Sequence, residues 1–471
     1  MLNKVAVTIF LLVFGCLWLN AKDKKHPNVI FILVDDLGWK DISSFGSDFY
    51  QTPHVDDLAS DGVMFTNAYS ACTVCSPSRA SIMTGKYPAR LRCTDWIEGW
   101  KYPKAKLKVP DWTMYLDSNE VTLAEVFKNN GYKTIHIGKW HLGEEEKHWP
   151  ENHGFDVNIG GWAKGSPNRN KKQGYNGYFP PFGNPRLTDC SDDEYLTERL
   201  ANEACSFLEK NQEKPFFMNL WFYNVHTPLQ ATAEKVEKYK SLLTSENRQD
   251  NPVYAAMVEH MDDAVGKITE KLKDLELYEN TIIIFTSDNG GLIGNGKQPV
   301  TNNYPLRSGK GDIYEGGVRV PLVIRVPGIT SPGIIDSTSM IISPDFMPSL
   351  IKLAKLDVDR KVMRSFDGVD ISPVLRNSSA KLGRNEIFWH YPHYHIEGAT
   401  PYSSVRKGDW KLIHIMETDE YKLFNLKKDI GETTELSSKY PKKVQNLKRD
   451  MAKWKNRVDA QMPTSNPDYE R

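Results

Sequence analysis

The chain has 471 residues, of which 40% are hydrophobic, 25% charged and 11% aromatic. This composition is that of an ordinary globular protein and excludes a fibre, a collagen and a disordered chain. Lys and Arg together number 60, as do Asp and Glu, so nothing indicates nucleic acid as a partner. An anionic ligand would need a local cationic pocket. The length fits one large domain with a smaller companion.

The first residues predict export. Lys4 is followed by an apolar run over residues 5–19, and a charged segment begins at Lys22. A basic start, a short apolar run and a small residue before a polar segment are typical of a secretory signal peptide, here residues 1–21. The run is shorter than the roughly 20 residues that usually span a bilayer, which argues against a membrane anchor. We expect a periplasmic protein, with secretion as the alternative.

A lipoprotein signal is a second interpretation of the same segment. Residues 13–16 read Val-Phe-Gly-Cys, which loosely resembles a bacterial lipobox. In that case the signal would comprise residues 1–15, and a lipid on Cys16 would anchor the protein to the outer membrane. No other contact with a membrane is expected.

Five cysteines remain after Cys16, and they are Cys72, Cys75, Cys93, Cys190 and Cys205. An exported protein can pair some of these cysteines in disulfides, but an odd number leaves at least one thiol unpaired. Cys72 and Cys75 have the spacing of half a zinc site. No second pair of ligands follows, so the pattern does not predict zinc.

Strands and helices alternate after the signal. Residues 28–34 are apolar and β-branched, which is typical of a buried parallel strand. Thr122 and Glu125 form a capping box that begins a helix, and the next strand is predicted at residues 132–137. Further helices are predicted at 196–208 and 254–272, each before a strand, at 216–223 and 281–286. The alternation predicts an α/β domain with a mostly parallel sheet between helices.

Polar residues follow each of these strands. They are Asp35 and Asp36 after the first, Lys139 and His141 after the second, His226 after the third, and Asp288 and Asn289 after the fourth. Sheets of this kind bind ligands at the carboxyl ends of their strands. We therefore expect these side chains to converge on one site.

The chain changes character after residue 372. Short strands separated by turn residues are predicted at 387–390, 403–406, 410–415 and 421–425, which indicates an antiparallel sheet. Apolar residues from Val444 to Val458 predict a final helix. The expected organisation is a large domain over residues 22–372 and a smaller α+β subdomain over residues 373–471. Residues 161–185 form a long irregular loop, and such loops are often functional.

One motif resembles a family signature. Residues 75–79 read Cys-Ser-Pro-Ser-Arg and are followed by Met83-Thr84-Gly85, which resembles the signature of type I, Cys-type sulfatases in the alkaline phosphatase superfamily. Four further blocks occur in the family's order, beginning at Asp35, Gly138, Asp288 and Lys310. The resemblance covers nearly the whole chain. It implies an alkaline-phosphatase-like fold, with a large mixed sheet between helices, and a sulfuric ester hydrolase whose catalytic domain is residues 22–372.

The resemblance also implies a modified nucleophile. In this family a formylglycine-generating enzyme or a radical sulfatase-maturating enzyme oxidises the cysteine to Cα-formylglycine (3-oxoalanine), and the matching residue is Cys75. That conversion would leave an even set of four cysteines. The family roles place Arg79 on the hydrated aldehyde and Lys139 and Lys310 on the sulfate oxygens. His141 would assist the diol, and His226 would protonate the leaving oxygen.

A calcium ion is implied beside the nucleophile. The family's ligands match Asp35, Asp36, Asp288, Asn289 and the oxygen of the modified Cys75, for one ion per chain. The chemistry agrees, since hydrolysis of a stable sulfate ester needs an oxygen nucleophile, neutralised charge and a proton for the alcohol. Oxygen ligands suit a hard dication that lowers the pKa of a hydrated aldehyde.

The expected substrate is a sulfated carbohydrate. Exported bacterial relatives of this kind act mostly on polysaccharides, such as the algal ulvan and carrageenan, and on glycosaminoglycans. Trp100 and an aromatic, His-rich stretch at residues 389–395 are available to contact sugar rings. The chosen candidates are His390, His393, Trp96 and Trp162. The alternative is that these aromatic residues pack between the two domains.

Two other functions stay open at this point. The first is a phosphoesterase or phosphonate monoester hydrolase on the same fold, because phosphate and sulfate esters are nearly isosteric. Such a phosphatase is expected to have a Ser or Thr nucleophile and more His ligands. The second is a non-catalytic sugar-binding relative, which is expected to lack at least one of the six catalytic residues named above.

Overall fold

The computed structural model describes residues 26–188, 191, 193–294 and 299–469. The predicted signal segment, Cys16 and Cys190 lie outside these ranges. Cys72, Cys75, Cys93 and Cys205 are free thiols. None of the helices within the described ranges has both the length and the apolar character that a bilayer-spanning segment needs.

Strands are numbered here in chain order. They are β1 (Asn28–Val34), β2 (Val63–Tyr69), β3 (Leu107–Lys108), β4 (Lys133–Gly138), β5 (Val157–Ile159), β6 (Phe216–Trp221), β7 (Thr281–Ser287), β8 (Arg319–Arg325), β9 (Ile334–Asp336), β10 (Ile341–Ile342), β11 (Glu386–Tyr391), β12 (Tyr402–Lys407), β13 (Trp410–Ile415), β14 (Glu420–Asn425) and β15 (Thr464–Ser465).

The α-helices are numbered in the same way. They are α1 (Pro53–Ser60), α2 (Cys75–Thr84), α3 (Pro88–Leu91), α4 (Leu123–Asn129), α5 (Leu196–Lys210), α6 (Ala233–Leu242), α7 (Pro252–Asp274), α8 (Glu315–Val318), α9 (Phe346–Leu353), α10 (Arg360–Met363), α11 (Ser372–Arg376) and α12 (Pro441–Arg457).

The larger sheet is mixed and mostly parallel, which confirms the predicted fold class. Its order is β10-β2-β8-β7-β1-β6-β4-β5, with β9 paired to β2. The central strands β7, β1, β6 and β4 are parallel to one another, whereas β8 is antiparallel to both of its neighbours. Every residue of β1 is buried, because apolar layers cover both faces of the sheet.

The register brings four strand ends together. Leu33 near the end of β1 pairs with Trp221 of β6 and with Thr286 of β7. Gly138 at the end of β4 pairs with the same Trp221. Parallel strands in register end at one edge of the sheet. The segments that follow β1, β4, β6 and β7 therefore leave the sheet side by side.

Helix α2 carries the signature motif and is buried along its whole length. All ten of its residues, from Cys75 to Thr84, are buried. The helix ends at Gly85, whose φ of +69° is the left-handed conformation that favours glycine. Its Met83 belongs to the same apolar layer as Phe346 and Met347 of α9. The motif is thus part of the core rather than a surface loop.

The smaller sheet is an antiparallel meander in the order β11-β12-β13-β14. Helix α12 covers it through Leu447, Met451 and Trp454, all of which are buried. The Trp454 ring stacks on Phe388 of β11 at a centroid distance of 4.9 Å. This arrangement matches the predicted antiparallel sheet and final helix.

The two sheets meet at a buried polar junction. Lys411 of β13 lies 2.9 Å from Glu315 of α8 and 3.1 Å from Glu432, and all three side chains are fully buried. Burial raises the pKa of Glu432 to about 7, although Lys411 opposes this. Trp389 of β11 donates from its indole nitrogen to the carbonyl of Ser70 at 2.8 Å. The smaller unit is therefore fixed directly behind the segment that leads into α2.

Candidate active site

Cys75 lies at the first position of α2, directly after the extended Val74. Its thiol contacts Asp35 Oδ1 at 3.6 Å. Burial raises the pKa of the thiol to about 12, although Lys139 and Lys310 favour the thiolate. An unmodified Cys75 is therefore protonated at neutral pH and is a weak nucleophile.

Arg79 lies one helical turn after Cys75 and is fully buried. Its Nε and Nη2 atoms both lie 2.8 Å from Asp288 Oδ2, and Nη1 donates to the carbonyl of Lys139 at 2.9 Å. Residues four apart in a helix share a face. Arg79 thus contacts the residues that follow β4 and β7, Lys139 and Asp288, from the same helix face that carries Cys75.

Each carboxylate that follows β1 binds a lysine. Lys139 Nζ donates to Asp35 Oδ2 at 2.6 Å, and Lys310 Nζ donates to Asp36 Oδ2 at 2.7 Å. Burial raises the pKa of Asp35 to about 8, and Lys139 lowers it only in part. Burial acts in the same direction on Asp36, but Lys310 and His226 hold the pKa of that carboxyl well below its usual range.

The oxygen donors of the site fit a hard cation. The ligand atoms of Asp35, Asp36, Cys75 and His226 all lie within 4.8 Å of one another. Asn289 donates from Nδ2 to Asp36 at 2.8 Å, while its buried Oδ1 has no hydrogen-bond partner among the described residues. Asp288 Oδ1 accepts from the backbone of Asp36 at 3.2 Å. Carboxylates and an orphaned amide oxygen are ligands that Ca²⁺ prefers.

His141 is held as a neutral base. Its Nε2 lies 2.5 Å from the carbonyl of Ile97 and donates to it, so Nδ1 carries the lone pair. Burial, helped by Lys139, holds the pKa of His141 well below its usual value. The residue has a φ of +59°, a strained conformation that is typical of functional sites. A Cβ at Gly165 would lie 2.3 Å from the ring, so only glycine fits there.

His226 is also neutral in this structure. Its Nδ1 donates to the carbonyl of Thr227 at 2.7 Å, which leaves the Nε2 lone pair 3.6 Å from Asp36 Oδ2. Burial, together with Lys310, lowers the pKa of His226 to about 3, although Asp36 opposes this. Donation of a proton from Nε2 therefore requires added negative charge nearby, such as a bound sulfate ester.

A cavity of about 390 Å³ opens above these groups. Cys75, His141, His226 and Lys310 lie at its base. Lys139 and Arg79 are fully buried and do not line it.

The wall of the cavity comes from three loops, which contribute Trp96, Glu98, Trp100, Lys164, His395 and Glu397. The last two residues belong to the smaller unit, so both units build the cavity.

The structure brings one of the four predicted sugar contacts into the cavity, namely Trp96. His390 instead contacts Ser403 Oγ at 2.8 Å and the carbonyl of Gln461 at 2.7 Å. His393 contacts Thr94 Oγ1 at 2.8 Å, and Trp162 lines a separate small crevice. As sugar contacts these three residues stay untested predictions, and none of them lines the cavity.

Several residues of the wall were not singled out from the sequence as site residues. They are Glu98, Lys164, Gly165, His395 and Glu397. All lie in loops, where neither hydrophobic periodicity nor a motif gives a signal. The His-rich stretch at residues 389–395 pointed to the correct segment, but not to His395 within it.

Comparison with known proteins assigns the family. The family model described as Sulfatase matches residues 27–356, and the model described as N-sulphoglucosamine sulphohydrolase, C-terminal, matches residues 309–459. A sulfatase of Formosa agariphila is 30% identical, with 92% of this chain and 89% of that protein covered. Arylsulfatase J of Mus musculus is also 30% identical, with 94% and 78% covered.

A solved structure agrees over nearly the whole fold. The crystal structure of Ps i-CgsB in complex with k-i-k-neocarrahexaose is 29% identical and has a TM-score of 0.77, with 94% of this chain and 95% of that chain covered. The fold, the order of the sequence blocks and the matched residues lead to one assignment. The chain belongs to the sulfatase family of the alkaline phosphatase superfamily and is an enzyme of the sulfuric ester hydrolase class.

Proposed function

We propose that the enzyme removes O-sulfate groups from a sulfated carbohydrate, such as oligosaccharides of an algal polysaccharide or a glycosaminoglycan. The observation that carries the proposal is the cavity, whose base contains Cys75, Lys310, His141 and His226 and whose wall includes Trp96 and Trp100. The two indole rings lie 6.3 Å apart between centroids. Aromatic faces beside a polar base suit a sugar ring that carries a sulfate.

The nucleophile is proposed to be Cys75 after oxidation to formylglycine. When hydrated, that residue would supply a hydroxyl to attack sulfur, which releases the alcohol, and a second hydroxyl whose deprotonation expels sulfate. Asp35, Asp36, Asp288 and Asn289 would hold one Ca²⁺, which would lower the pKa of the diol. The raised pKa of the Cys75 thiol supports a modified rather than a native nucleophile. Arg79, which is fixed by two contacts to Asp288, orients residue 75.

Lys139 and Lys310 are proposed to neutralise the sulfate. Each ammonium group contacts a carboxylate near Cys75. Lys139 lies 2.6 Å from Asp35, and Lys310 lies 2.7 Å from Asp36. Ligation of a dication by those carboxylates would leave the two lysines available to the sulfate oxygens. Cations that are already in position stabilise the charge that develops in the transition state.

The two histidines are proposed to move protons at opposite stages. His141 has its Nδ1 lone pair free and accepts the proton that residue 75 loses. His226 lines the cavity and donates from Nε2 to the leaving alcohol after the sulfate ester has raised its pKa. In each histidine one nitrogen is held as a donor to a backbone carbonyl, of Ile97 or of Thr227, and the other nitrogen is left to exchange a proton.

Export and maturation belong to the same proposal. We infer an exported enzyme, most simply periplasmic, because of the signal sequence at residues 1–21. Its partners would be a sulfated oligosaccharide or polysaccharide and a formylglycine-generating or radical sulfatase-maturating enzyme. A lipid on Cys16 would provide any attachment to a membrane.

The test uses enzyme that was produced together with a maturating enzyme. Release of inorganic sulfate is measured from a panel of sulfated oligosaccharides, and turnover of an aryl sulfate is compared with turnover of the matching aryl phosphate. We expect sulfate from at least one oligosaccharide and a strong preference for the aryl sulfate. A preference for the phosphate would favour the phosphoesterase, and no turnover at all would favour a sugar-binding protein.

A further inference from the structure

The charges around the mouth of the cavity are unevenly distributed. We call the part formed by Trp96, Glu98, Trp100, Lys164, His395 and Glu397 the outer cavity. Its charged side chains are Glu98, Lys164 and Glu397. Lys310, the other charged residue of the lining, lies at the base and is bound to Asp36 at 2.7 Å.

The one lysine of the outer cavity is paired. Lys164 Nζ lies 3.1 Å from Glu98 Oε1, and both side chains are about half exposed. Glu397 has no cationic atom within 4.0 Å anywhere in the described ranges. Burial raises the pKa of the Glu397 carboxyl, although Lys310 opposes this from beyond that distance. The outer cavity thus contains two carboxyl groups and one lysine, and the lysine is paired with Glu98.

His395 holds Glu397 in place without adding positive charge. The backbone N–H of Glu397 donates to His395 Nδ1 at 3.2 Å, so the ring presents Nε2–H as a donor. Burial lowers the pKa of His395 to about 4, and the ring is neutral. It lies so close to Gly311 that a Cβ there would be 2.2 Å from Nδ1. The loop that carries Glu397 is thus packed against the segment that carries Lys310.

We propose that the outer cavity selects a sugar residue whose only anionic group is the sulfate under removal, and that Glu397 rejects a second sulfate or a carboxylate. This inference rests on the proposed function, because it names the class of saccharide. An uncharged sugar ring can lie against Trp96 and Trp100 and accept from His395 Nε2–H. A uronic acid or a doubly sulfated residue would place an anion beside Glu397.

The expected discrimination is moderate because the mouth is open to water. Repulsion between two unit charges a few ångströms apart is weak in bulk water and several-fold stronger near a protein surface. We therefore expect a preference of about three- to tenfold in kcat/KM for the singly charged substrate. High salt should reduce that preference, since exposed charges are screened.

The test compares matched substrates on the mature enzyme. One pair is a monosulfated disaccharide cleaved by the enzyme and the same disaccharide with a second sulfate on the same residue. The other pair is an aryl sulfate with a ring carboxylate and its carboxamide. Glu397→Gln should reduce the kcat/KM ratio within each pair about three- to tenfold. Glu98→Gln, which frees Lys164, should reduce it as well.

Glu246→Gln is the control, because Glu246 is exposed and does not line the cavity. It should leave both ratios unchanged. The inference is overturned if the wild type hydrolyses both members of each pair equally well, or if Glu397→Gln leaves the ratios unaltered. If no saccharide releases sulfate while the aryl sulfates do, the proposed carbohydrate function fails. The aryl pair then still decides whether Glu397 selects by charge.

Discussion

The base of the cavity and its outer wall are built by different means. Residues of the base follow strands of the large sheet, and their side chains are bound to one another, as Lys139 is to Asp35 and Arg79 to Asp288. Residues of the wall lie in loops. Trp100 is 49% exposed and Ile396 is 59% exposed. Loops on a fixed scaffold tolerate change better than the scaffold itself.

The contrast assigns separate tasks to the two regions. In the base, buried ion pairs hold each catalytic group in one position. The wall can vary in charge and shape while the base is retained. Substitutions in the base should therefore reduce turnover of every sulfate ester, and substitutions in the wall should affect particular substrates.

The largest expected effect is that of Cys75→Ser, which removes the residue proposed to become formylglycine. Turnover of any sulfate ester should fall by at least about 10³-fold in a host that modifies only cysteine, as for loss of other catalytic nucleophiles. The thermal midpoint should change little, since serine fits the first turn of α2. Peptide mass spectrometry of the wild type should show the modification at residue 75.

Cys205→Ser is the matched control, because Cys205 lies in α5, outside the cavity. It should retain full turnover. Wild-type enzyme that is fully active with an intact Cys75 thiol would falsify the proposed nucleophile. The catalytic roles assigned at the base of the cavity would then have to be revised.

Removal of the cation should have the next largest effect. Chelation should abolish most turnover, and added calcium should restore it. Calcium should also raise the thermal midpoint of the wild type, because a ligand that binds only the folded state stabilises it. Asp35→Asn should lose both the activity and this rise. Restoration by zinc but not by calcium would contradict the oxygen-ligand assignment.

The variant His226→Ala tests whether this residue at the base of the cavity protonates the leaving alcohol. A sugar alcohol is a poor leaving group and needs a proton, whereas a nitrophenolate departs unaided. The variant should lose about 10²–10⁴-fold on a sugar sulfate, the usual contribution of general acid–base catalysis, and much less on a nitrophenyl sulfate. His141→Ala should not depend on the leaving group in this way. Equal losses of His226→Ala on both substrates would show that the acid is another residue.

The smallest effect is expected for Trp100→Ala in the wall. Loss of an exposed stacking face should raise KM for a cleaved oligosaccharide about tenfold, with a much smaller change in kcat. Tyr469→Ala is the control, since Tyr469 is exposed and does not line the cavity. A large fall in kcat on small aryl sulfates would show that the wall and the base are not separate in function.

The same division explains how far the sequence could predict the site. Asp35, Lys139, His226 and Asp288 were predicted to converge because each follows a strand, and parallel strands in register end at one edge. The central strands and α7 were predicted to within two residues for the same reason, since periodicity and caps are local signals. The antiparallel place of β8 between β7 and β2 has no such local signal.

The wall depends on contacts between distant loops, which periodicity does not reveal. Three histidines at positions 390, 393 and 395 are similar in sequence, but β11 directs His390 towards Ser403 and Gln461. Only His395 reaches the cavity. Trp389 lies at the junction of the two sheets. This agrees with the alternative that aromatic residues of this stretch pack between the two domains. Which aromatic residue faces a ligand was decided by tertiary structure.

The burial of α2 bears on whether the proposed oxidation of Cys75 comes before or after folding. Every residue of this helix is enclosed, and the smaller sheet closes over the segment before it through Trp389 and Ser70. In the folded chain Cys75 is only 3% exposed, at the base of the cavity, so a second enzyme has little access to it. The proposed oxidation would therefore act on the extended polypeptide, before folding is complete. Because a folded chain would no longer be modified, each molecule would be either active or inactive from the time it folds.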